Sequence, residues 1–174
     1  MKFKDYRIDS KIKSQLEYMG FRKPTDIQYR AIQHVLDGED VMAVAPTGTG
    51  KTAAFAIPMI EKMLQSKRTG PGIRALVMVP TRELAKQISE VIDTIAIKTK
   101  VSCLGLYGGV DQAAQIKTLE KKLDVLVATP GRMFDLISQG YLDLSNVELF
   151  VIDEADLMLD LGFNKDIQDV LRFL

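Results

Sequence analysis

Five short apolar runs alternate along this chain with segments of helical periodicity. Most of the runs are dense in Val, Ile and Leu and lack polar alternation, which is typical of strands covered on both faces. The five runs are Val41–Ala45, Ile73–Val79, Val101–Leu106, Val125–Ala128 and Leu149–Ile152. Strands that alternate with helices favour a parallel sheet with helices packed on its faces. We therefore predict an α/β fold built on a mainly parallel sheet.

A polar or glycine-rich segment follows each of the five runs directly. These segments are 46–52, 80–85, 107–109, 129–132 and 153–156. In a parallel sheet the carboxyl ends of the strands open on one face, and ligands bind beyond them. We therefore expect all five segments to converge on one functional face.

Composition restricts the kind of function that this face can serve. The chain has 174 residues, enough for one domain with a core, and its formal net charge is zero. Any nucleic-acid binding must therefore be local. The single cysteine, Cys103, excludes an intramolecular disulfide and fits a reducing compartment, so we expect a cytoplasmic protein. Neither a signal peptide nor a run of membrane-spanning length is visible, and we expect no membrane partner.

The segment Ala45–Thr52, Ala-Pro-Thr-Gly-Thr-Gly-Lys-Thr, has the composition of a phosphate-binding loop. It lies between an apolar run and a helical pattern, which is the context that such a loop requires. Gly48 and Gly50 permit a tight turn, and the helix that follows favours a phosphate at its N-terminus. Lys51 would reach the β- and γ-phosphates, and the Thr52 hydroxyl would hold Mg²⁺. An ordinary glycine-rich turn is the alternative, and the Gly-Lys-Thr ending argues against it.

An acidic pair, Asp153-Glu154, follows the last apolar run. Nucleotide-hydrolysing folds place a Mg²⁺-associated carboxylate and a base at such a strand end. Asp153 would bind Mg²⁺ through water, and Glu154 would orient and deprotonate the attacking water. The alternative is that acidic residues simply suit the first turn of the next helix.

Together these motifs resemble the DEAD-box family of ATP-dependent RNA helicases. The matching segments, in chain order, are Gly20–Gln28 with Phe3 upstream, Ala45–Thr52, Pro80–Ala85, Gly108-Gly109, Thr129–Arg132 and Asp153–Asp156. The resemblance spans nearly the whole chain. It implies a three-layer RecA-like domain over residues 1–174, with a Q motif region at 3–28, and ATP with Mg²⁺ as cofactors.

The resemblance also implies two sets of contact residues. The nucleotide set is Phe3, Phe21, Lys23, Gln28, Thr47, Gly48, Thr49, Gly50, Lys51 and Thr52, with Lys51, Asp153 and Glu154 catalytic. The RNA set is Pro80, Thr81, Arg82, Gly108, Gly109, Thr129, Pro130, Gly131 and Arg132, which would hold the sugar-phosphate backbone of single-stranded or short duplex RNA. Backbone contacts carry no base information, so such binding would be largely independent of sequence.

Three of these assignments have structural alternatives. Gln28 would meet adenine N6 and N7 with its amide, but Thr25-x-x-Gln28 is also a capping box for the helix start. Thr129 and Pro130 also form an ordinary N-cap and first helical position. Arg82 could pair locally with Glu83 instead of a phosphate.

In the family, a second RecA-like domain completes both sites and supplies an arginine finger. Neither that domain nor the family's Ser-Ala-Thr motif is present in this chain, so we expect a truncated first domain. Loss of an arginine finger costs about 10³–10⁵ in turnover at related sites, so we expect negligible hydrolysis by the chain alone. We also expect unpaired strand edges that favour non-native self-association. A DNA-directed translocase and a non-catalytic ATP-gated RNA clamp or scaffold component are the alternative functions.

Two helices are predicted before the first apolar run, and one loop is predicted to be mobile. Asp9 or Ser10 would cap the first helix. Thr25 would cap the second, which we expect to end near Asp37, just before Gly38. The polar, Gly- and Pro-containing segment 66–72 is the predicted mobile loop.

Overall fold

A computed structural model of the chain describes residues 2–66, 70 and 72–174. The chain divides into two compact units, Met1–Lys67 with Val91–Val101, and Arg68–Glu90 with Ser102–Leu174. The predicted mobile loop over 66–72 falls largely outside the described residues.

The first unit is helical in the part that the structure describes. A short 3-10 helix, Phe3–Asp5, precedes α1 (Ser10–Tyr18), α2 (Asp26–Asp37) and α3 (Lys51–Gln65). The predicted caps are confirmed, because the Asp9 carboxylate accepts a hydrogen bond from the Lys11 N–H at 2.7 Å and Thr25 lies at the N-cap of α2. Gly38 ends α2 in the left-handed conformation that glycine adopts without strain.

The second unit holds a parallel sheet and its covering helices. Its strands are β1 (Ala75–Met78), β2 (Cys103–Leu106), β3 (Val125–Ala128) and β4 (Leu149–Ile152). The helices of this part of the chain are α4 (Arg82–Ala96, whose last turns belong to the first unit), α5 (Gln112–Leu119), α6 (Pro130–Ser138), α7 (Ala155–Asp160) and α8 (Asn164–Val170).

The four strands run parallel in the order β2-β3-β1-β4, which confirms the predicted α/β fold. Ala75 lies opposite both Val125 and Leu149 in the register. The central strands β1 and β3 are buried along their whole length, as their uninterrupted apolar sequences predict. The sheet core continues into α6 through Met133 and Leu136.

The prediction of a buried strand at Val41–Ala45 is wrong. The segment forms no strand, and Met42 and Val44 have exposed fractions of 93% and 88%. An apolar run becomes a strand only where a neighbouring strand satisfies its backbone N–H and C=O groups. Among the described residues, β4 pairs with β1 and no strand pairs with the segment 41–45.

None of the helices formed by the described residues has the length and apolar character that crossing a membrane requires.

Candidate nucleotide and nucleic-acid sites

The predicted phosphate loop forms a tight turn that leads into α3, in the first unit. Gly48 and Gly50 have φ angles of 77° and 90°, a region in which other residues are strained. The Thr49 hydroxyl donates to the Pro46 carbonyl oxygen at 2.7 Å and closes the turn. Because α3 begins at Lys51, Lys51 and Thr52 occupy the first turn of the helix, where its partial positive charge favours an anion.

Gln28 is buried and joins α2 to this loop. Its Oε1 accepts the Thr25 backbone N–H at 3.0 Å, which is the predicted capping interaction. Its Nε2 donates to the Gly50 carbonyl oxygen at 3.1 Å. The second contact was missed by sequence reasoning, because residues 28 and 50 are far apart in the chain and no local pattern joins them.

Phe3, Phe21 and Lys23, three of the predicted adenine-side residues, lie together in the first unit. They share an open groove of about 790 Å³, and the centroids of the two phenyl rings are 6.1 Å apart. Phe3 is 4% exposed, so its ring is already covered by protein, whereas Phe21 is half-buried. Phe21 is therefore the more accessible ring for a ligand.

The predicted segments of the second unit extend from one edge of the sheet. Three backbone hydrogen bonds continue the ladder past the strand ends: Val79 N–H to Ala128 O at 3.0 Å, Thr129 N–H to Leu106 O at 3.0 Å, and Asp153 N–H to Met78 O at 3.1 Å. Because the strands are parallel, the segments beginning at Pro80, Thr129 and Asp153 leave the sheet at the same end. The acidic pair and two predicted RNA segments thus share one edge.

Glu154 has a strained backbone. Its φ and ψ angles of 51° and 48° make it the one non-glycine residue with positive φ in the described ranges 2–66, 70 and 72–174. Its N–H donates to the Asp153 Oδ1 at 3.0 Å. Glu154 lies at the N-cap of α7 without a side-chain capping bond, and Asp156 is the acidic residue of the first turn. The general preference for acidic residues at the start of a helix therefore explains Asp156 better than Glu154. A strained backbone such as that of Glu154 typically marks a functional position.

Arg82 lies beside the glycine pair of the 107–109 segment. A Cβ atom added at Gly109 would come within 3.0 Å of Arg82 Nη1, whereas one at Gly108 would meet open space. The predicted local pair also forms, with 2.8 Å between Arg82 Nε and Glu83 Oε1, and both side chains are exposed. This hydrogen bond raises the pKa of Arg82 and lowers the pKa of Glu83. Thr81 accepts the Leu84 N–H at 3.3 Å and so starts α4.

The segment 129–132 begins α6, with Pro130 in its first turn. Thr129 has extended backbone angles at the N-cap but makes no side-chain capping bond, so only part of the capping alternative is realised. The Arg132 guanidinium donates to Gln115 Oε1 at 2.7 Å and to the Val110 carbonyl oxygen at 3.5 Å. Gln115 was missed because nothing in the helical pattern of α5 distinguishes it from the neighbouring Gln112.

Known proteins match this chain over almost its whole length. The family model described as DEAD/DEAH box helicase matches residues 25–174. The ATP-dependent RNA helicase CshA of Listeria monocytogenes is 43% identical over 171 residues, which cover 98% of this chain and 32% of that protein. The chain therefore spans about a third of the length of this curated relative.

Two solved structures share the fold. One is a DEAD box protein from the hyperthermophile Methanococcus jannaschii, with a TM-score of 0.90, 41% identity, and coverage of 99% of this chain and 46% of that chain. The other is a hypothetical ATP-dependent RNA helicase from Sulfolobus tokodaii, with a TM-score of 0.86, 40% identity, and coverage of 95% and 47%. With a RecA-like parallel sheet, the motif segments in order and a family model matched over residues 25–174, the chain belongs to the DEAD/DEAH box helicase family.

Proposed function

We propose that this chain is the N-terminal domain of an ATP-dependent RNA helicase, and that it binds ATP and the RNA backbone. The observation that carries the proposal is the shared sheet edge, where the acidic pair Asp153-Glu154 leaves β4 and the arginine-containing segments at 80–85 and 129–132 leave β1 and β3. The proposed catalytic acids and the proposed RNA-binding segments can influence each other through the strands that hold them. Family membership supports the same function.

The nucleotide part of the proposal rests on the loop at 46–52. Backbone N–H groups at the start of α3, Lys51 and the helix dipole would bind the phosphate chain. Phe21 would pack on the base, and the Gln28 amide would exchange or share its present hydrogen bonds with adenine. Because Gln28 already holds Gly50, an occupied base site would act directly on the phosphate loop.

Thr52 and Asp153 are the proposed ligands of Mg²⁺. Their hydroxyl and carboxylate oxygens are of the hard donor type that Mg²⁺ prefers, and nucleotide sites commonly supply one or two protein ligands beside the phosphates. No group of three or more His, Cys, Asp or Glu residues able to hold a metal is found where the chain is described. Mg²⁺, when bound, would neutralise charge on the β- and γ-phosphates.

Glu154 is the proposed base for hydrolysis. Its strained backbone fixes where the side chain leaves the β4–α7 turn, and a fixed carboxylate can orient an attacking water. The RNA part of the proposal assigns Arg82, Arg132 and the N-terminus of α6 to phosphates. These groups contact the backbone and not the bases, so binding would be general for sequence.

Calorimetric titration with Mg-ADP and with Mg-GDP tests the nucleotide site. We expect the chain to prefer ADP, and we expect Gln28→Ala and Lys51→Ala each to abolish measurable binding. Lys11→Ala, an exposed lysine on α1, is the matched control and should bind normally. Equal affinity for ADP and GDP would remove the adenine role of Gln28 and leave its two structural bonds, to Thr25 and to Gly50.

Binding of a fluorescent single-stranded RNA, compared with the same sequence as DNA, tests the nucleic-acid site. We expect RNA to be preferred and the affinity to fall with salt, because phosphates dominate the contact. Equal affinity for the two nucleic acids would favour the DNA-directed translocase. RNA binding by a whole protein whose ATPase ignores RNA would favour the non-catalytic clamp.

A further inference from the structure

Gln115 is a buried polar residue that neither the motifs nor the proposed contacts use. Its side chain is 7% exposed, on the face of α5 that lies toward β2. Its Oε1 accepts from Arg132 Nη1 at 2.7 Å, and its Nε2 lies 3.4 Å from the Gly105 carbonyl oxygen. A buried amide is costly unless its hydrogen bonds are satisfied, so these two partners determine its orientation.

The contact to Arg132 is the stronger of the two. It is short, and the Arg132 guanidinium carries a full charge. Hydrogen bonds with one charged partner are roughly twice as strong as those between neutral groups. The contact to Gly105 is long and weak, but it directs the amide nitrogen toward β2 and leaves Oε1 facing Arg132. The sheet, α5 and Arg132 are thus connected through one side chain.

Arg132 is held from two sides by this arrangement. Its Nη1 donates to Gln115, and its Nη2 lies 3.5 Å from the carbonyl oxygen of Val110, which follows the Gly108-Gly109 pair. A guanidinium has five N–H donors, and among the described residues no other hydrogen bond from Arg132 is found. The remaining donors stay available to a phosphate while the group itself is fixed.

We propose that Gln115 is a positioning residue for the nucleic-acid backbone, because it orients the Arg132 guanidinium beside the Gly108–Val110 turn. This inference rests on the proposed function, since it names a residue that supports the RNA-binding segment. An unrestrained arginine loses side-chain entropy when it binds a phosphate, and a pre-oriented one loses less. Gln115 therefore contributes to affinity without touching the RNA.

A double-mutant cycle on RNA affinity tests the inference. We expect Gln115→Met, which keeps the length of the side chain but removes the acceptor, to weaken binding of a short fluorescent oligouridine by about fivefold. In an Arg132→Met background the same change should have no further effect, because Gln115 acts through Arg132. Gln112→Met is the matched control, since Gln112 lies on the same helix and bonds instead to Gln139.

A charge variant separates positioning from simple folding. Gln115→Glu keeps an acceptor for Arg132 but neutralises the guanidinium. We expect it to weaken RNA binding and to reduce the slope of log affinity against log salt by about one. Melting temperatures of all variants are measured alongside, and Mg-ADP affinity should be unchanged by Gln115→Met.

Nitrogen-15 NMR of the arginine side chains gives a readout that does not depend on RNA. We expect slow rotation of the Arg132 guanidinium in the unaltered chain and fast rotation in Gln115→Met. Two results would overturn the role of Gln115 while leaving the proposed function intact. One is the same Arg132 rotation rate in the unaltered chain and in Gln115→Met. The other is an equal loss of RNA affinity from Gln115→Met in the Arg132 and the Arg132→Met backgrounds. Failure of the unaltered chain to bind RNA would refute the proposed function and this inference together.

Discussion

The side-chain amide of Gln28 donates a hydrogen bond to the backbone carbonyl oxygen of Gly50, with 3.1 Å between the two atoms. The same side chain accepts the Thr25 N–H at 3.0 Å. One buried residue thus closes the start of α2 and holds the last loop residue before α3. Gln28 therefore has a structural role before any nucleotide is considered.

We expect Gln28→Ala to lower the free energy of unfolding by about 1–3 kcal/mol in the absence of nucleotide, because a capping bond and a buried hydrogen bond are both lost. Chemical denaturation measures the change. Gln33→Ala is the control, since Gln33 lies on the same helix and bonds to the side chain of Asp37. Unchanged stability of Gln28→Ala would contradict the structural role.

Substitution of the loop glycines should separate backbone strain from steric collision. Both Gly48→Ala and Gly50→Ala force alanine into a positive φ, which costs about 1–2 kcal/mol. At Gly50 the added Cβ would also collide with the amide nitrogen of Gln28, whereas at Gly48 it would meet open space. We therefore expect Gly50→Ala to be the more destabilising change in thermal unfolding.

The double variant Gly50→Ala with Gln28→Ala checks the origin of that difference. The colliding Gln28 side chain is absent from the double variant. Its free energy of unfolding should therefore be higher than the value obtained by adding the effects of the two single changes. Strict additivity would show that the collision is relieved by movement of the loop.

Glu154→Gly should be more stable than Glu154→Ala, and both variants remove the proposed base. The left-handed backbone of Glu154 is strained for any residue with a side chain, and glycine relieves about 1 kcal/mol of that strain. Glu154→Ala is the control, because it removes the carboxylate but keeps the strain. Equal unfolding free energies for the two variants would show that the conformation is not strained.

Glu83→Gln should strengthen RNA binding by about two- to fourfold. The Glu83 carboxylate forms an ion pair with the Arg82 guanidinium. Removing the charge of Glu83 makes the guanidinium available to a phosphate. Stability should hardly change, because the pair is exposed. Fluorescence anisotropy measures the affinity, and Glu120→Gln, an exposed acid beyond α5, is the matched charge control.

The pH dependence of this pair has a definite sign. The hydrogen bond to Arg82 lowers the pKa of Glu83 in the folded chain. The pair is therefore fully formed above the unfolded pKa of a glutamate and is lost as the pH falls through the lower folded value. We expect the affinity advantage of Glu83→Gln to shrink as the pH falls, and a constant advantage would show that the pair does not compete with RNA.

Val44→Lys should reduce self-association of the chain. The segment 41–45 is apolar and uncharged, and its Val41, Met42 and Val44 are exposed. Such segments promote association by strand pairing. Sedimentation velocity measures the oligomeric state over a range of concentrations. Ile97→Lys changes another exposed apolar residue outside this segment, and an equal effect would show that general hydrophobicity is responsible.

Local sequence patterns were sufficient for the parts of the structure that depend on neighbouring residues. The apolar runs at 125–128 and 149–152 became β3 and β4 with the predicted bounds, and Asp9, Thr25 and Gly38 mark helix ends as predicted. The sequence also determined the family and the order of the motif segments, because each motif is a short continuous pattern. The segments that begin at Pro80, Thr129 and Asp153 share one sheet edge, which follows from the parallel arrangement that the alternation of strands and helices predicts.

Only the tertiary structure decided which distant groups meet. The run 41–45 has the composition of a strand but has no paired neighbour, and strand formation depends on that partner. The bonds of Gln28 to Gly50 and of Gln115 to Arg132 join residues that are 22 and 17 positions apart. The left-handed backbone of Glu154 is likewise imposed where β4 leads into α7. Each of these features depends on groups that only folding places next to one another. Contacts of this kind produce no periodic pattern in the sequence from which they could be predicted.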